Sequence, residues 1–380
     1  MSRGRIAKRG DAWRIVVSAG YDDAGRRVRV SETLHGTKDA AQRRLTAMLA
    51  QIDGGAVPDR ARVTTGEYLR TWLRDVAKPR TAPRTYLGYE SVITRHLVPS
   101  IGRVPLGRLR AGHVEALVAG LVAGGSGTRT VRGVVGLLRQ VLKHACRRGL
   151  LARNVALDVE VPRQQRPAIT PPDEAALLRL LALVAERLPL FYVPSLVAVY
   201  TGCRRGEVLG LRWADVDLVA GRVSVAQTVQ RVRGLGLVTA PPKTAAGRRS
   251  ISIDADLVAA LREHRARQAE VRLRRGAAFQ DRGFVFTDDS GGPLDGGRWS
   301  NGWHRVAEAA GLPHVRLHDT RHAHASQLLA AGVSARAISG RLGHSDVAFT
   351  MQTYSHLLPG ADEAAAEAFG ERLRAARERS

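Results

Sequence analysis

The sequence has only two cysteines, Cys146 and Cys203. That is too few for a disulfide framework or a zinc cluster, and it suggests a reducing compartment. No apolar run approaches the roughly 20 residues that a membrane span needs. The opening "MSRGRIAKRG" lacks the apolar core of a signal peptide, so a cytoplasmic protein without a membrane role is expected. Lysine is scarce too. Lys8, Lys38, Lys78, Lys143 and Lys243 are the only five among 59 basic residues. Arginine is the default cation here, so a lysine can mark a place where arginine would not serve, although chance retention explains most of the five.

What the chain has is positive charge. Lys and Arg total 59 against 35 Asp and Glu, a formal net charge of +24. The excess runs along the whole chain instead of forming a tail, so a polyanion is the expected partner, and nucleic acid suits it better than a membrane surface. At 380 residues the chain is long enough for two or three domains.

Three segments separate by pattern. Residues 1–57 alternate like a small sheet. Trp13, Ile15 and Val17 share one face while Arg14 points the other way, and Val28 and Val30 alternate with Arg27 and Arg29. A helix follows, capped by Thr37, with Ala41, Leu45 and Leu49 on one stripe. Arginines on the open face of such a sheet suit a DNA major groove, or they form a solvated basic face. "DGGAVPDRARVT" is a linker. Residues 64–162 are expected to be all helical. Tyr68, Leu69, Trp72 and Leu73 form one apolar stripe, and Tyr86, Tyr89, Ile93 and Leu97 another, so these tyrosines are assigned to a core. Arg84 and, on a later helix, Arg129, Arg132, Arg139 and Lys143 are candidates for phosphate contacts. The proline-rich "VPRQQRPAITPP" ends this segment. From 168 to 380 helices are interrupted by one set of short strands, in "GRVSVAQTV", "LGLVTAPPK" and "GRRSISI".

Separated pieces of this last segment hold the groups that cleave a phosphodiester. Arg204 and Glu207 lie in "TGCRRGEVLGLRW", Lys243 in "APPKTAAGRR", His318 and Arg321 in "LHDTRHAHAS", and His344 and Tyr354 in "LGHSDVAFTMQTYSH". Two arginines can clamp the oxygens of a phosphate that gains charge as it is attacked. A phenol with an ordinary pKa of about 10 needs a base, and neutral His318 suits that role. The departing 5′ oxygen needs a proton, which a desolvated lysine releases and arginine does not. His344 can donate to a phosphate oxygen, and Glu207 can hold Arg204. Tyr354 has a bland alternative, a half-buried ring with its hydroxyl at the surface. His318 and His322 have a spacing that can bind zinc, but no third ligand is evident, so no metal is expected.

Taken together and in this order, Arg204, Lys243, His318 with Arg321, His344 and Tyr354 resemble the catalytic set of the tyrosine recombinases, the phage integrase family. "TAPRTYLGYESVITRHLVPSIGRVPLGRL" is similar to the start of the family's helical, SAM-like core-binding domain, and the N-terminal segment is similar to an arm-type DNA-binding domain. The resemblance implies a multidomain α+β protein: an arm domain over 1–57, a core-binding domain over 64–162 and a mostly helical catalytic domain with a small antiparallel sheet over 168–380. It also implies strand exchange through a 3′-phosphotyrosyl link at Tyr354, without cofactor, metal or ATP. The implied partners are double-stranded attachment sites, a homotetramer on synapsed DNA, and a directionality factor or host DNA-bending protein. The implied location is the nucleoid. A type IB topoisomerase shares the chemistry, and a non-catalytic DNA-binding regulator is the rival from another class.

Overall fold

The structure, a computed structural model, describes residues 4–21, 27–53, 63–164, 170–242, 244–343, 346–347 and 361–378. Lys243, His344 and Tyr354 lie outside the described residues. The backbone gathers into two compact units, Met1–Arg166 and Pro167–Ser380.

In the first unit, β1 (Gly4–Arg9), β2 (Ala12–Tyr21) and β3 (Arg27–His35) form an antiparallel sheet in that order. Ile15 and Val17 are fully buried against Ala41, Leu45 and Met48 of α1 (Lys38–Asp53). Thr37 Oγ1 accepts the Ala40 amide at 3.2 Å, the expected cap. The period of two leaves Arg14 and Arg29 exposed on the opposite face. Register places Arg5 opposite Val16 and Arg9 opposite Ala12, so both arginines join that face. The sequence pattern in β1 was too short to reveal them. Arg27 pairs with Tyr21 beyond an irregularity in the ladder.

Residues 63–164 are helical, as expected. The helices are α2 (Thr65–Trp72), α3 (Pro83–Val92), α4 (Ala111–Ala123) and α5 (Thr128–Arg147). Their core is built from Leu69, Trp72, Ile93, Leu97, Leu138 and Val141, with Tyr86 and Tyr89 packed against it. Tyr68 is buried in the same core and hydrogen-bonds His144 Nδ1 at 2.8 Å, and burial pushes its phenol up to about 12. That suits a structural ring, not a nucleophile. Arg84, Arg129, Arg132 and Lys143 are exposed, as phosphate contacts require. Arg139 departs from the expectation. Its Nε and Nη2 donate to the carbonyls of Ala156 (2.9 Å) and Val159 (2.8 Å), so its fork braces the chain after α5.

The second unit begins with α6 (Glu174–Arg187), whose cap Asp173 accepts the Ala176 amide at 2.7 Å. α7 (Tyr192–Thr201) and α8 (Arg205–Leu209) follow. The strands are β4 (Val216–Asp217), β5 (Arg222–Val225), β6 (Thr228–Val232), β7 (Gly236–Ala240) and β8 (Arg249–Ser252). They make two antiparallel sheets, not one: β4-β5-β8 and the hairpin β6-β7. Gln227 lies between them in sequence, and its Nε2 donates to the Gly210 carbonyl at 2.9 Å. A Cβ on Gly210 would lie 2.7 Å from the Gln227 oxygen, so this close approach needs glycine. The remaining helices are α9 (Ala255–Arg275), α10 (Gly296–Ala309), α11 (Asp319–Ala330), α12 (Ala335–Leu342) and α13 (Ala361–Arg377). The core joins Phe191, Trp299 and Trp303 to Val223, Ile251 and Phe286. Among the described residues no helix is long and apolar enough to cross a membrane.

Candidate active site

α7 ends at Gly202 with φ +64°, the left-handed region. A Cβ there would fall 2.6 Å from Leu342 Cδ2 and 2.9 Å from His324 Cδ2. The reversal sets Arg204 in an extended conformation just before α8. One helical turn later, Glu207 Oε2 accepts the Arg204 amide at 2.9 Å and Oε1 accepts Arg204 Nη1 at 2.8 Å. Glu207 therefore does hold Arg204. Arg249 Nη2 reaches the same carboxylate at 2.8 Å. Burial alone would raise the Glu207 pKa, but the bonds from Arg249 and Arg204 outweigh it and hold the carboxyl below its ordinary value.

His318 is the residue just before α11, not part of it, and Arg321 lies in the first turn. Asp319 steadies this start, because both its oxygens accept from the Arg316 side chain, at 3.1 and 2.8 Å. Arg321 is only 3% exposed. Its Nη1 donates to the Gly202 carbonyl and its Nη2 to the Leu342 carbonyl, each at 2.7 Å. Burial, and then the charge of Arg204, lower its pKa to about 10, so it is still a cation at neutral pH. His318 is pressed down to about 4 by burial and then by His322 and Arg321, so its imidazole is neutral there. With Cys203, Arg204, Arg205, Gly206, Ser300 and Leu317 it lines a cleft of about 290 Å³.

Arg204, Arg249 and Arg321 thus surround one carboxylate, Glu207, and leave uncompensated positive charge beside a neutral histidine. Such a cluster suits an anion that is attacked while bound. Arg204, with 44% of its side chain exposed, is the arginine open to a ligand. The sequence-predicted Arg204, Glu207, His318 and Arg321 come together. The rings of His318 and His322 meet edge to face at 5.2 Å. Among the described residues no group of three or more His, Cys, Asp or Glu is placed to hold a metal. Sequence reading missed Arg249 and Arg341. A signal existed for Arg249: in "RSIS" it alternates in step with Ile251, which marks an inward position.

The phage integrase family model matches residues 187–360, and the model of its N-terminal SAM-like domain matches residues 64–122. The chain belongs to the phage integrase family. It is 27% identical to a tyrosine recombinase XerC-like protein of Caldanaerobacter subterraneus subsp. tengcongensis, over 91% of this chain and 93% of the relative. Among solved structures, the Tn1549 transposon integrase in complex with a circular intermediate DNA superposes with TM-score 0.69 at 19% identity, covering 82% of this chain and 99% of that one. A lambda integrase tetramer bound to a Holliday junction gives TM-score 0.57 at 15% identity, covering 93% and 94%. Both likenesses place this integrase in the same multidomain α+β fold.

Proposed function

We propose that this integrase is a site-specific DNA recombinase that integrates and excises a prophage or another mobile element. The observation that carries the reading is the excess of guanidinium charge around Glu207, next to neutral His318. In the proposed reaction the Tyr354 oxygen forms a bond to the scissile phosphorus as the bond to the 5′ oxygen breaks. His318 takes the phenol proton, and Lys243 gives a proton to the leaving oxygen. Arg204 and His344 meet the charge that gathers on the phosphate, and the enclosed Arg321 adds its positive charge without touching the ligand. A 5′ hydroxyl from the partner duplex then displaces Tyr354. The phosphotyrosyl bond conserves the energy of the broken linkage, so neither ATP nor a metal is needed.

The segments take matching roles. Residues 1–57 bind arm-type sites, 64–162 grip the core site and 168–380 perform the chemistry. The exposed arginines of the β1-β2-β3 face support the first role and favour recombination between chosen sites over topoisomerase relaxation. Four protomers act on synapsed DNA at the nucleoid, with a directionality factor or host DNA-bending protein as a further partner. A nicked duplex carrying the attachment site, identified by sequencing DNA that flanks the gene, tests the reading. A covalent protein–DNA adduct on a denaturing gel is expected, and Tyr354→Phe should lose it while binding DNA nearly as well. A wild-type chain that binds the site and forms no adduct would instead be a DNA-binding regulator.

A further inference from the structure

Arg249 opens β8 opposite Val225, and its side chain is 6% exposed, too enclosed to grip DNA itself. Its guanidinium nevertheless binds two distant stretches of chain as well as the entry to its own strand. Nη2 donates to Glu207 Oε2 at 2.8 Å and lies 3.6 Å from Cys203 Sγ. Nε donates to the Arg341 carbonyl at 2.7 Å, and Nη1 to the Gly247 carbonyl at 3.1 Å. Gly343, at φ +67°, completes the fit: a Cβ there would fall 2.9 Å from Arg249 Nη1 and 2.8 Å from the Ala246 oxygen. Arg341 extends the lattice by donating to the carbonyls of Ser252 and Tyr200, each at 3.0 Å.

We propose that Arg249 is a positioning residue for strand cleavage. Its planar fork ties the start of α8, the entry to β8 and the last turn of α12 into one frame around Glu207. In sequence Gly247 follows Lys243 by four positions, and Gly343 directly precedes His344. The residues this fork binds are therefore sequence neighbours of two candidate catalytic residues. A lysine cannot replace the fork, because one ammonium cannot serve a carboxylate and two divergent carbonyls in fixed directions. The proposal rests on the recombinase reading and adds a residue to it.

The test uses the full chain and two nicked substrates, one with the ordinary 5′ oxygen and one with a 5′-bridging sulfur, which leaves without a proton. Lys243→Ala calibrates the difference between them. Arg249→Lys should slow cleavage of the oxygen substrate about 100-fold, as small misplacements at an active site do. The sulfur substrate should recover most of that loss, with DNA affinity by gel shift unchanged. Gly343→Ala crowds the same guanidinium from outside and should give the same pattern, which keeps the test valid if Arg249→Lys folds poorly. Equal losses on both substrates, or undiminished cleavage by a folded variant, would overturn the positioning role. A wild-type protein that forms no adduct with either substrate would overturn the recombinase reading instead.

Discussion

Arg321 Nη1 donates to the Gly202 carbonyl at 2.7 Å, across 119 positions of sequence. That bond fastens the start of α11 to the turn that launches Arg204. The partner bond to the Leu342 carbonyl fastens the same guanidinium to the end of α12. One side chain thus sets the relative position of three elements of the candidate site.

Arg321→Lys should uncouple them. A lysine keeps the charge but cannot satisfy both carbonyls, and each lost charge-assisted bond is worth roughly 1.5–3 kcal/mol. The melting temperature should fall, and adduct formation should drop by more than tenfold while site binding stays close to wild type. Stopped-flow or gel assays of cleavage beside gel-shift titrations would show this split. Unchanged cleavage would remove Arg321 from the site.

Stability should fall on the acid side of neutrality. His318 and His324 are each held at about 4 in the folded chain, both by burial first, His324 next by the Arg341 charge. Unfolded imidazoles titrate near 6.5, so between about pH 6.5 and 4 the unfolded state binds more protons and stability declines as pH falls. The effect is on the order of 3 kcal/mol per histidine at most. Thermal melts across this window should show the decline, and His324→Gln should make it shallower. A pH-independent melting temperature would contradict the buried neutral imidazoles.

Removing residues 1–57 should leave the rest folded. The sheet and α1 enclose their own apolar cluster, and residues 63–164 enclose another. Cleavage at a core site should persist while integration at a full attachment site fails. Full integration by the shortened protein would end the arm-binding proposal.

Deleting residues 361–380 tests assembly. Phe369 and Leu373, four apart on α13, are 66% and 50% exposed. An amphipathic helix gains stability by burying its apolar stripe, here against a neighbouring protomer in the proposed tetramer. Single-site binding should survive, while synapsis and the coordination of cleavage decline. Light scattering on paired sites that still shows stable four-protomer complexes would place this helix elsewhere.

Sequence pattern alone was enough for the elements whose periodicity is local. The alternation of Trp13, Ile15 and Val17, the stripes through Leu69 and Leu97, and the cap Thr37 all stand where the spacing put them. It also picked out Arg204, Glu207, His318 and Arg321, because their chemistry is rare in combination and each sits in a distinctive word. Other features needed the folded chain. The division of the strands into two sheets, β4-β5-β8 and β6-β7, and the close approach of Gly210 to Gln227 are not encoded in any local spacing. Arg139 looked like a phosphate contact, since helical spacing cannot say whether a basic side chain meets DNA or the carbonyls of Ala156 and Val159. Arg249 and Arg341 were hidden among 59 basic residues for the same reason. A guanidinium takes its role from whichever acceptors surround it, and only tertiary packing brings Glu207 and the Arg341 carbonyl within reach of Arg249.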